Sequence, residues 1–165
     1  MSAKTVIIDD TADDSKYLLF RLGGELYGTP LLGVREVIQP LMPKAVPNTV
    51  PHFLGLINIR GQIAGVVELR RRFDYVATHT DAACFLVFDT ETGPIAALVD
   101  KVEAVVSFPK DQLLAKPNVR SQIPAEFLIG AATHADHLVT LIDLQKSLTM
   151  EDYIQIANSK LQVAG

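Results

Sequence analysis

Short stretches of alternating apolar and polar residues, separated by glycine and proline, predict an all-β fold. The pattern is clearest in residues 53–59, whose alternate side chains would occupy opposite faces of one strand, and in 63–69, which would return as a second strand. Arg60 and Gly61 lie between these stretches, and glycine tolerates the positive φ of a tight turn. We therefore predict a β-hairpin, with Asn58 and Arg60 pointing the same way.

The earlier part of the chain predicts three further strands, at 17–22, 26–29 and 35–39. One helical turn, 30–34, is expected before the third of them. Four prolines then occur in the twelve residues 40–51. Because proline has a fixed φ and no amide hydrogen, this segment is expected to be an extended connection across the surface.

The second part of the chain repeats the apolar pattern of the first, with a shift of 68 residues at the start and 75 later. The matched segments are 17–20 with 85–88, 34–38 with 102–106, and 55–69 with 130–144. The repeat predicts a duplicated unit of about five strands. We expect two small barrels, one of about 17–75 and one of about 83–148, with a groove at their junction.

The two ends of the chain have different patterns. Residues 1–16 are rich in aspartate, lack an apolar period, and are expected to be a flexible acidic tail. Residues 150–161 predict a C-terminal helix, with Ile154, Ala157 and Leu161 on one face. That stripe would pack on a barrel or serve a partner. Residues 17–163 are therefore expected to form a single domain.

Composition narrows the class of protein. The chain has 165 residues, a formal net charge of −4 and no apolar run near the roughly 20 residues of a membrane helix. Its first residues do not resemble a signal peptide, so we expect a cytoplasmic protein. The acidic balance argues against nucleic-acid binding. The local basic cluster 70–72 is expected to be a solvated helical face, with a partner-facing patch as the alternative.

Candidate catalytic chemistry is sparse. The string from His134 to His137 is the most metal-like, but the repeat places it at a hairpin turn and no second cluster supplies more ligands. Cys84 lies in an apolar run without a visible base and is expected to be a buried small hydrophobe. No phosphate-binding glycine loop occurs. We expect no enzyme, no metal and no cofactor.

Polar residues on the first copy of the repeat are the better functional candidates. At the positions of Asn58, Arg60 and Gly61 the second copy has Thr133, Ala135 and Asp136. Residues needed to fold the unit should occur in both copies, so those confined to one copy are candidates for binding. Arg60 offers a planar fork of donors for a partner carboxylate or carbonyl. The alternative is an internal bond from Arg60 to Glu36.

The hairpin motif resembles the chemotaxis coupling (CheW-like) domain family. The pattern GxxNxRGxxxxVxxLxxxF is matched by Gly55, Asn58, Arg60, Gly61, Val66 or Val67, Leu69 and Phe73, and LxxVxEV by 31–37. The family usually has proline where this chain has Gly65, and aspartate where it has Glu68. The resemblance implies two SH3-like five-stranded barrels with a C-terminal helix, and a non-catalytic adaptor.

The resemblance also implies partners and contact residues. Members of the family link the cytoplasmic tips of methyl-accepting chemoreceptors to the regulatory domain of a CheA-type histidine kinase, in ring-like arrays. By the same resemblance, the receptor groove would contain Val34, Glu36, Val37, Gly55, Asn58, Arg60 and Gly61. Strand edges would meet the kinase, and the protein would be at the membrane only through receptors.

Several alternatives stay open on the sequence alone. A pilus-based (twitching-motility) chemosensory pathway uses the same adaptor type. A small-ligand-binding barrel would use the groove between the barrels. A nucleic-acid-binding barrel would use the basic cluster 70–72 and should bind with steep salt dependence.

Overall fold

The computed structural model describes residues 6–7, 15–76, 80–91, 93–114 and 123–145. These ranges contain eleven β-strands and one short α-helix, α1. In chain order they are Val6–Ile7 (β1), Lys16–Leu22 (β2), Glu25–Pro30 (β3), Glu36–Ile38 (β4), Phe53–Ile59 (β5), Gln62–Glu68 (β6), Leu69–Arg72 (α1), Cys84–Thr90 (β7), Gly93–Val99 (β8), Lys101–Ser107 (β9), Leu128–His134 (β10) and His137–Ile142 (β11).

The strands predicted at 17–22, 26–29 and 35–39 correspond to β2, β3 and β4, and the all-β prediction is confirmed. A single 3-10 turn, Leu31–Gly33, precedes β4 where one helical turn is expected. The predicted C-terminal helix, 150–161, lies outside the described residues. Within the described ranges, no helix is long and apolar enough to cross a membrane.

Two sheets carry the repeat. The first sheet has the strand order β1-β4-β7-β8-β6-β5, and the second has the order β10-β11-β3-β2-β9. The repeat maps β4, β7, β8, β6 and β5 onto β9, β2, β3, β11 and β10, so the two orders match strand for strand once β1 is set aside. Each sheet also contains one parallel pair, β6 with β8 and β11 with β3.

The strand composition of the two barrels differs from the expected one. The first sheet takes its five repeat strands from 36–99, and the second takes its strands from 16–30 and 101–142. The predicted boundaries of the two barrels, about 17–75 and about 83–148, are therefore wrong. The hairpin β2–β3 belongs with the later strands, because β2 pairs with β9 and β3 pairs with β11. Periodicity identifies strands but not their partners.

Part of the expected acidic tail is a strand. Val6 and Ile7 pair with Val37 and Glu36, so β1 extends the first sheet beside β4. The prediction of a tail over 1–16 is therefore wrong for this piece. Residues 1–5 and 8–14 lie outside the described residues.

The apolar core has three parts. One cluster lies inside the first sheet and includes Ile57, Val66 and Phe85. A second lies inside the second sheet and includes Leu19 and Val139. The largest cluster draws on both sheets, with fully buried side chains from β2 and β7 among its members. The two barrels are therefore joined by a continuous apolar interface, since burial of such side chains drives association.

The two departures from the family motif have clear structural settings. Gly65 lies in β6 with a ladder partner on each side, Leu56 in β5 and Ile95 in β8. Glu68 precedes α1 and accepts a hydrogen bond from the Arg70 amide at 3.1 Å, which caps the helix. The chain therefore enters α1 through a carboxylate cap.

The basic cluster 70–72 is not a solvated face as a whole. Arg71 is exposed, but Arg70 is buried, with only 5% of its surface accessible. Arg70 is paired with Glu68 and Asp100, which a charge count along the helix does not reveal. The expected solvated face is therefore wrong for Arg70.

We expect that a chain cut within 77–79 gives two fragments that do not fold separately. The N-terminal fragment lacks the β7 and β8 partners of the first sheet and the β9 and β11 partners of the hairpin β2–β3. Circular dichroism and NMR spectra of each fragment should show no cooperative unfolding, whereas an equimolar mixture should regain it. A fragment that unfolds cooperatively by itself would contradict the observed strand exchange.

Candidate functional site

The turn between β5 and β6 presents the candidate site. Ile59 pairs with Gln62, and the two residues between them have positive φ, 51° at Arg60 and 84° at Gly61. This is the geometry of a two-residue hairpin turn, and the prediction for it is confirmed. Asn58 accepts a hydrogen bond from the Gly61 amide at 2.9 Å through its side-chain oxygen. Asn58 therefore fixes the turn that carries Arg60.

Arg60 is held by Glu36 on β4. Its Nη2 lies 2.9 Å from Glu36 Oε2, while the Arg60 side chain is 58% exposed and that of Glu36 only 2%. The internal bond considered as an alternative is therefore present. Glu36 Oε1 is buried and has no hydrogen-bond partner in the described part of the chain. The site thus combines an exposed set of donors with an unused buried acceptor.

A neighbouring polar group was missed by the sequence reasoning. Arg35 Nη1 donates to Gln62 Oε1 at 2.9 Å and to Asp89 Oδ1 at 3.4 Å. These residues come from three separate strands or strand ends, so no sequence motif links them. The one available signal was the alternation of the predicted strand 35–39. It places Arg35 on the opposite face from Glu36 and so indicates a separate polar position.

The apolar members of the expected groove lie in the core. Val34 and Val37 are 3% and 7% exposed and belong to the large cluster between the sheets. In the unbound protein both side chains are therefore enclosed by the apolar interface between the sheets. They hold β4 in position, and through β4 they hold Glu36.

Gly55 has a backbone role. Its φ is 135°, and an added Cβ would lie 2.2 Å from the Lys44 carbonyl oxygen. Lys44 forms an isolated bridge with Leu56, with N–O distances of 2.8 and 3.0 Å. Only glycine allows the proline-rich connection to pass this close to β5. Gly55 therefore supports the hairpin and offers no side chain to a partner.

The second copy of the repeat keeps the turn and loses the ion pair. Ala135 and Asp136 have φ of 49° and 64°, the same geometry as Arg60 and Gly61. The position equivalent to Glu36 is Ala104, and the one equivalent to Arg60 is Ala135. Both members of the pair are thus replaced together by alanine. The pair is therefore not needed to form the turn.

Other chemistry in the described ranges is limited. No three His, Cys, Asp or Glu side chains come together there as metal ligands. Cys84 is half-buried, and burial raises the pKa of its thiol to about 11. A cavity of about 150 Å³ opens beside Gly33, Asp143 and Gln145. Typical small-molecule sites measure roughly 300–1,000 Å³, so this cavity is small for a ligand.

Two packed small barrels, with an exposed arginine anchored on a buried glutamate, define a small β-barrel binding protein. The CheW-like domain model matches residues 16–152, and the chain therefore belongs to the CheW-like domain family. This confirms the resemblance found in the hairpin motif.

Individual relatives agree with the family. The chain is 26% identical over 144 residues to the chemotaxis protein CheW of Klebsiella aerogenes, covering 87% of each protein. It is 22% identical over 144 residues to that of Treponema pallidum, covering 84% of this chain and 85% of the relative. The crystal structure of the scaffolding protein TtCheW from Thermoanaerobacter tengcongensis matches with a TM-score of 0.75 at 25% identity, covering 86% of this chain and 92% of that one. The duplicated barrel fold and the non-catalytic chemotaxis adaptor class are thereby confirmed.

We expect the Glu36–Arg60 pair to show measurable coupling. Arg60→Met should lower the free energy of unfolding by about 1 to 2 kcal/mol, because it leaves a buried carboxylate without its donor. Glu36→Gln in the same chain should recover part of that loss, giving a coupling energy of about 1 kcal/mol in denaturant unfolding. Arg35→Met is the control, and its exposed contacts should be worth under about 0.5 kcal/mol. If the stability losses of Arg60→Met and Glu36→Gln were strictly additive, the pairing would be contradicted.

We expect Cys84 to react slowly with iodoacetamide. Its pKa of about 11 keeps the thiol neutral below that pH. At pH 8 the rate should be on the order of one hundred times lower than that of an unperturbed cysteine, because the thiolate is the nucleophile. The rate should rise about tenfold per pH unit toward pH 11. A plateau by pH 9, measured by mass spectrometry, would show that burial does not control this thiol.

Proposed function

We propose that this protein couples methyl-accepting chemoreceptors to a CheA-type histidine kinase, and that the Glu36–Arg60 pair with its turn is the receptor site. The observation that carries the proposal is the restriction of this pair to one of two repeats that share the same turn geometry. A polar pair that the fold does not require is best explained by a partner that it binds. The relatives are chemotaxis proteins, which supports the chemotaxis setting.

The geometry suggests how a receptor tip would be recognised. Arg60 uses Nη2 on Glu36 and is 58% exposed, so its other N–H groups face solvent and can donate to a carboxylate or to carbonyl oxygens at a helix end. The unused Glu36 Oε1 would accept a donor from the receptor. A partner that donates a hydrogen bond to Glu36 would satisfy the buried carboxylate. A partner that drew Arg60 away and supplied no donor would leave the carboxylate unsatisfied.

The supporting residues define the edges of the proposed site. Asn58 and Gly61 hold the turn, while Val34, Val37 and Gly55 place the two strands beneath it. Gln62 directly follows the turn and accepts a hydrogen bond from Arg35, which adds a second polar pair near this end of β6. We propose that contact with the receptor is made by Glu36, Arg60 and these neighbouring polar groups.

The receptor would be bound at the hairpin turn, whereas the kinase would be bound along strand edges. Its regulatory domain, which in this family has the same two-barrel fold, would pair with outer strands of the barrels. Among the described strands, β5 ends the first sheet and the equivalent β10 ends the second. Such equivalent ends suit pseudo-symmetric, ring-like assembly. The protein would act as a passive coupler, in which receptor packing shifts the populations of kinase states through these contacts.

The pathway and the compartment follow from the partners. A receptor tip and a kinase of this kind would place the protein in the cytoplasm, at the membrane only through receptors. A pilus-based chemosensory pathway would use the same site, and nothing in the geometry separates the two. Nucleic-acid binding is disfavoured by the burial of Arg70, which leaves only Arg71 and Arg72 of the basic cluster for an outside partner.

We expect Arg60→Glu to weaken binding to receptor tip fragments at least about tenfold, because it puts a negative charge beside buried Glu36 and removes the donors. Binding to the kinase regulatory domain should change less than about twofold. Arg71→Glu is the matched control. It makes the same charge change at an exposed position of α1, beyond the far end of the seven-residue β6. Thermal unfolding of both variants checks that the fold is kept.

Isothermal titration with each partner would separate the possible outcomes. Folded Arg60→Glu protein that binds receptor fragments as well as the unchanged protein would refute the receptor site. Failure of the unchanged protein to bind any chemosensory kinase of its organism would refute the adaptor function itself.

A further inference from the structure

A buried ionic cluster lies away from the candidate site. Arg70 Nε and Nη2 donate to the two carboxylate oxygens of Glu68 at 2.9 and 2.7 Å, and Arg70 Nη1 donates to Asp100 Oδ1 at 2.9 Å. The side chains of Arg70, Glu68 and Asp100 are 6%, 4% and 14% exposed. The hydrogen bond with Glu68 raises the pKa of Arg70, so the guanidinium is charged wherever the protein is folded.

The cluster bridges the two sheets. Glu68 ends β6 of the first sheet, whereas Asp100 is the one residue between β8 and β9, where the chain passes from the first sheet to the second. The other Asp100 oxygen accepts from the Gly23 amide at 2.9 Å. Gly23 is in the turn of the hairpin β2–β3, which belongs to the second sheet. One continuous set of charge-assisted hydrogen bonds thus runs from β6 to the turn of β2–β3.

A second contact ties the same parts together. The amide of Tyr75, just after α1, donates to the Arg70 carbonyl at 2.7 Å. The Tyr75 ring lies against Gly23, where an added Cβ would come within 2.4 Å of it. The Tyr75 hydroxyl also bonds to that of Tyr27 in β3. Both contacts connect the segment after β6 with the hairpin β2–β3.

The hydrophobic effect that joins the sheets is non-directional, so a directional contact can sharpen the choice among closely related packings of the two sheets. A bidentate arginine is directional, since its fork fits two carboxylates in only one arrangement. Buried ion pairs add little net stability, but they can favour one geometry over alternatives. We propose that Arg70 is a positioning residue, and that the Glu68–Arg70–Asp100 cluster fixes the orientation of the second sheet relative to the first.

The test must separate orientation from stability. Arg70→Met alone leaves two buried carboxylates uncompensated and should lower the melting temperature by roughly 6 to 20 °C. The informative variant replaces the whole cluster, Glu68→Gln, Arg70→Met and Asp100→Asn, so that no buried charge remains. Its melting temperature should stay within roughly 4 °C of that of the unchanged protein. Arg21→Gln is the control, because it removes the partly exposed pair with Glu103.

The orientation of the sheets is measured by double electron–electron resonance, which gives the distance between two spin labels. The labels are attached to introduced cysteines in a Cys84→Ser background. Labels at Glu91, after β7, and at Thr133, on β10, report on the first and second sheets, and both positions are exposed. The unchanged protein and Arg21→Gln should give one narrow distance distribution. The triple variant should give a broader or shifted one. Hydrogen exchange of the Gly23 amide should also become about tenfold faster in the triple variant, because the charged Asp100 acceptor is gone.

The outcomes are distinct. A folded triple variant that keeps the narrow distance distribution would overturn the proposal, whatever the rate of Gly23 exchange. If the triple variant does not fold, Arg70→Lys decides in the same way, because it keeps the charge without the fork. No partner is present in these measurements, so they are independent of the proposed function. If the adaptor function holds, the triple variant should bind both partners and still couple them less well, seen as reduced kinase activation.

Discussion

The apolar cluster between the two sheets is the constraint on which the other features depend. It contains fully buried side chains from both sheets, and each such leucine or phenylalanine contributes roughly 1.5–3 kcal/mol when removed from water. Val34 and Val37 belong to it, so the position of β4 is set by the packing of the two barrels. Glu36 lies on the same strand as Val37 and is itself buried, with 2% of its side chain exposed. The candidate site is therefore anchored in the junction of the barrels.

Two polar arrangements sit on this apolar framework, and they differ in exposure. The Glu36–Arg60 pair is buried at one end and open at the other, which leaves donors available to a second molecule. The cluster around Arg70 is enclosed at nearly every member. Burial of a charged group without partners is costly, so the enclosed cluster is satisfied internally while the open pair keeps unused capacity. This difference fits the proposed receptor site at Glu36–Arg60 and the proposed positioning role of Arg70.

Much of the fold is predictable from the sequence. Alternation identifies the strands, Arg60-Gly61 identifies the turn, and the internal repeat identifies the duplicated unit. Strand partners are not predictable in this way, because β3 would present the same alternating pattern beside β4 or beside β11. The membership of β2 and β3 in the second sheet is decided by long-range packing, which local patterns do not record.

Prediction of the site was similarly divided. Comparison of the two repeats identified Arg60, and the family resemblance added Glu36, whose replacement by Ala104 in the second copy fits the same pattern. It could not show that Val34 and Val37 face inward, since a strand in contact with two sheets has no fully exposed face. Arg70 was placed in solvent because its neighbours Arg71 and Arg72 are basic. Its partner Asp100 is thirty residues away in sequence and visible only in three dimensions.

The first hairpin, β2–β3, lies in the second sheet beside strands that are synthesised much later, and this affects the chain while it is being made. β2 and β3 are made early, but their partners β9 and β11 follow only at 101–107 and 137–142. At about 5–20 residues per second, the hairpin has to wait on the order of ten seconds before both of its edges are covered. Unpaired edges of this kind are where newly made chains join one another. A ribosome-bound chain of this protein is therefore expected to need a chaperone most while its first hairpin is complete and its last strand is still unmade.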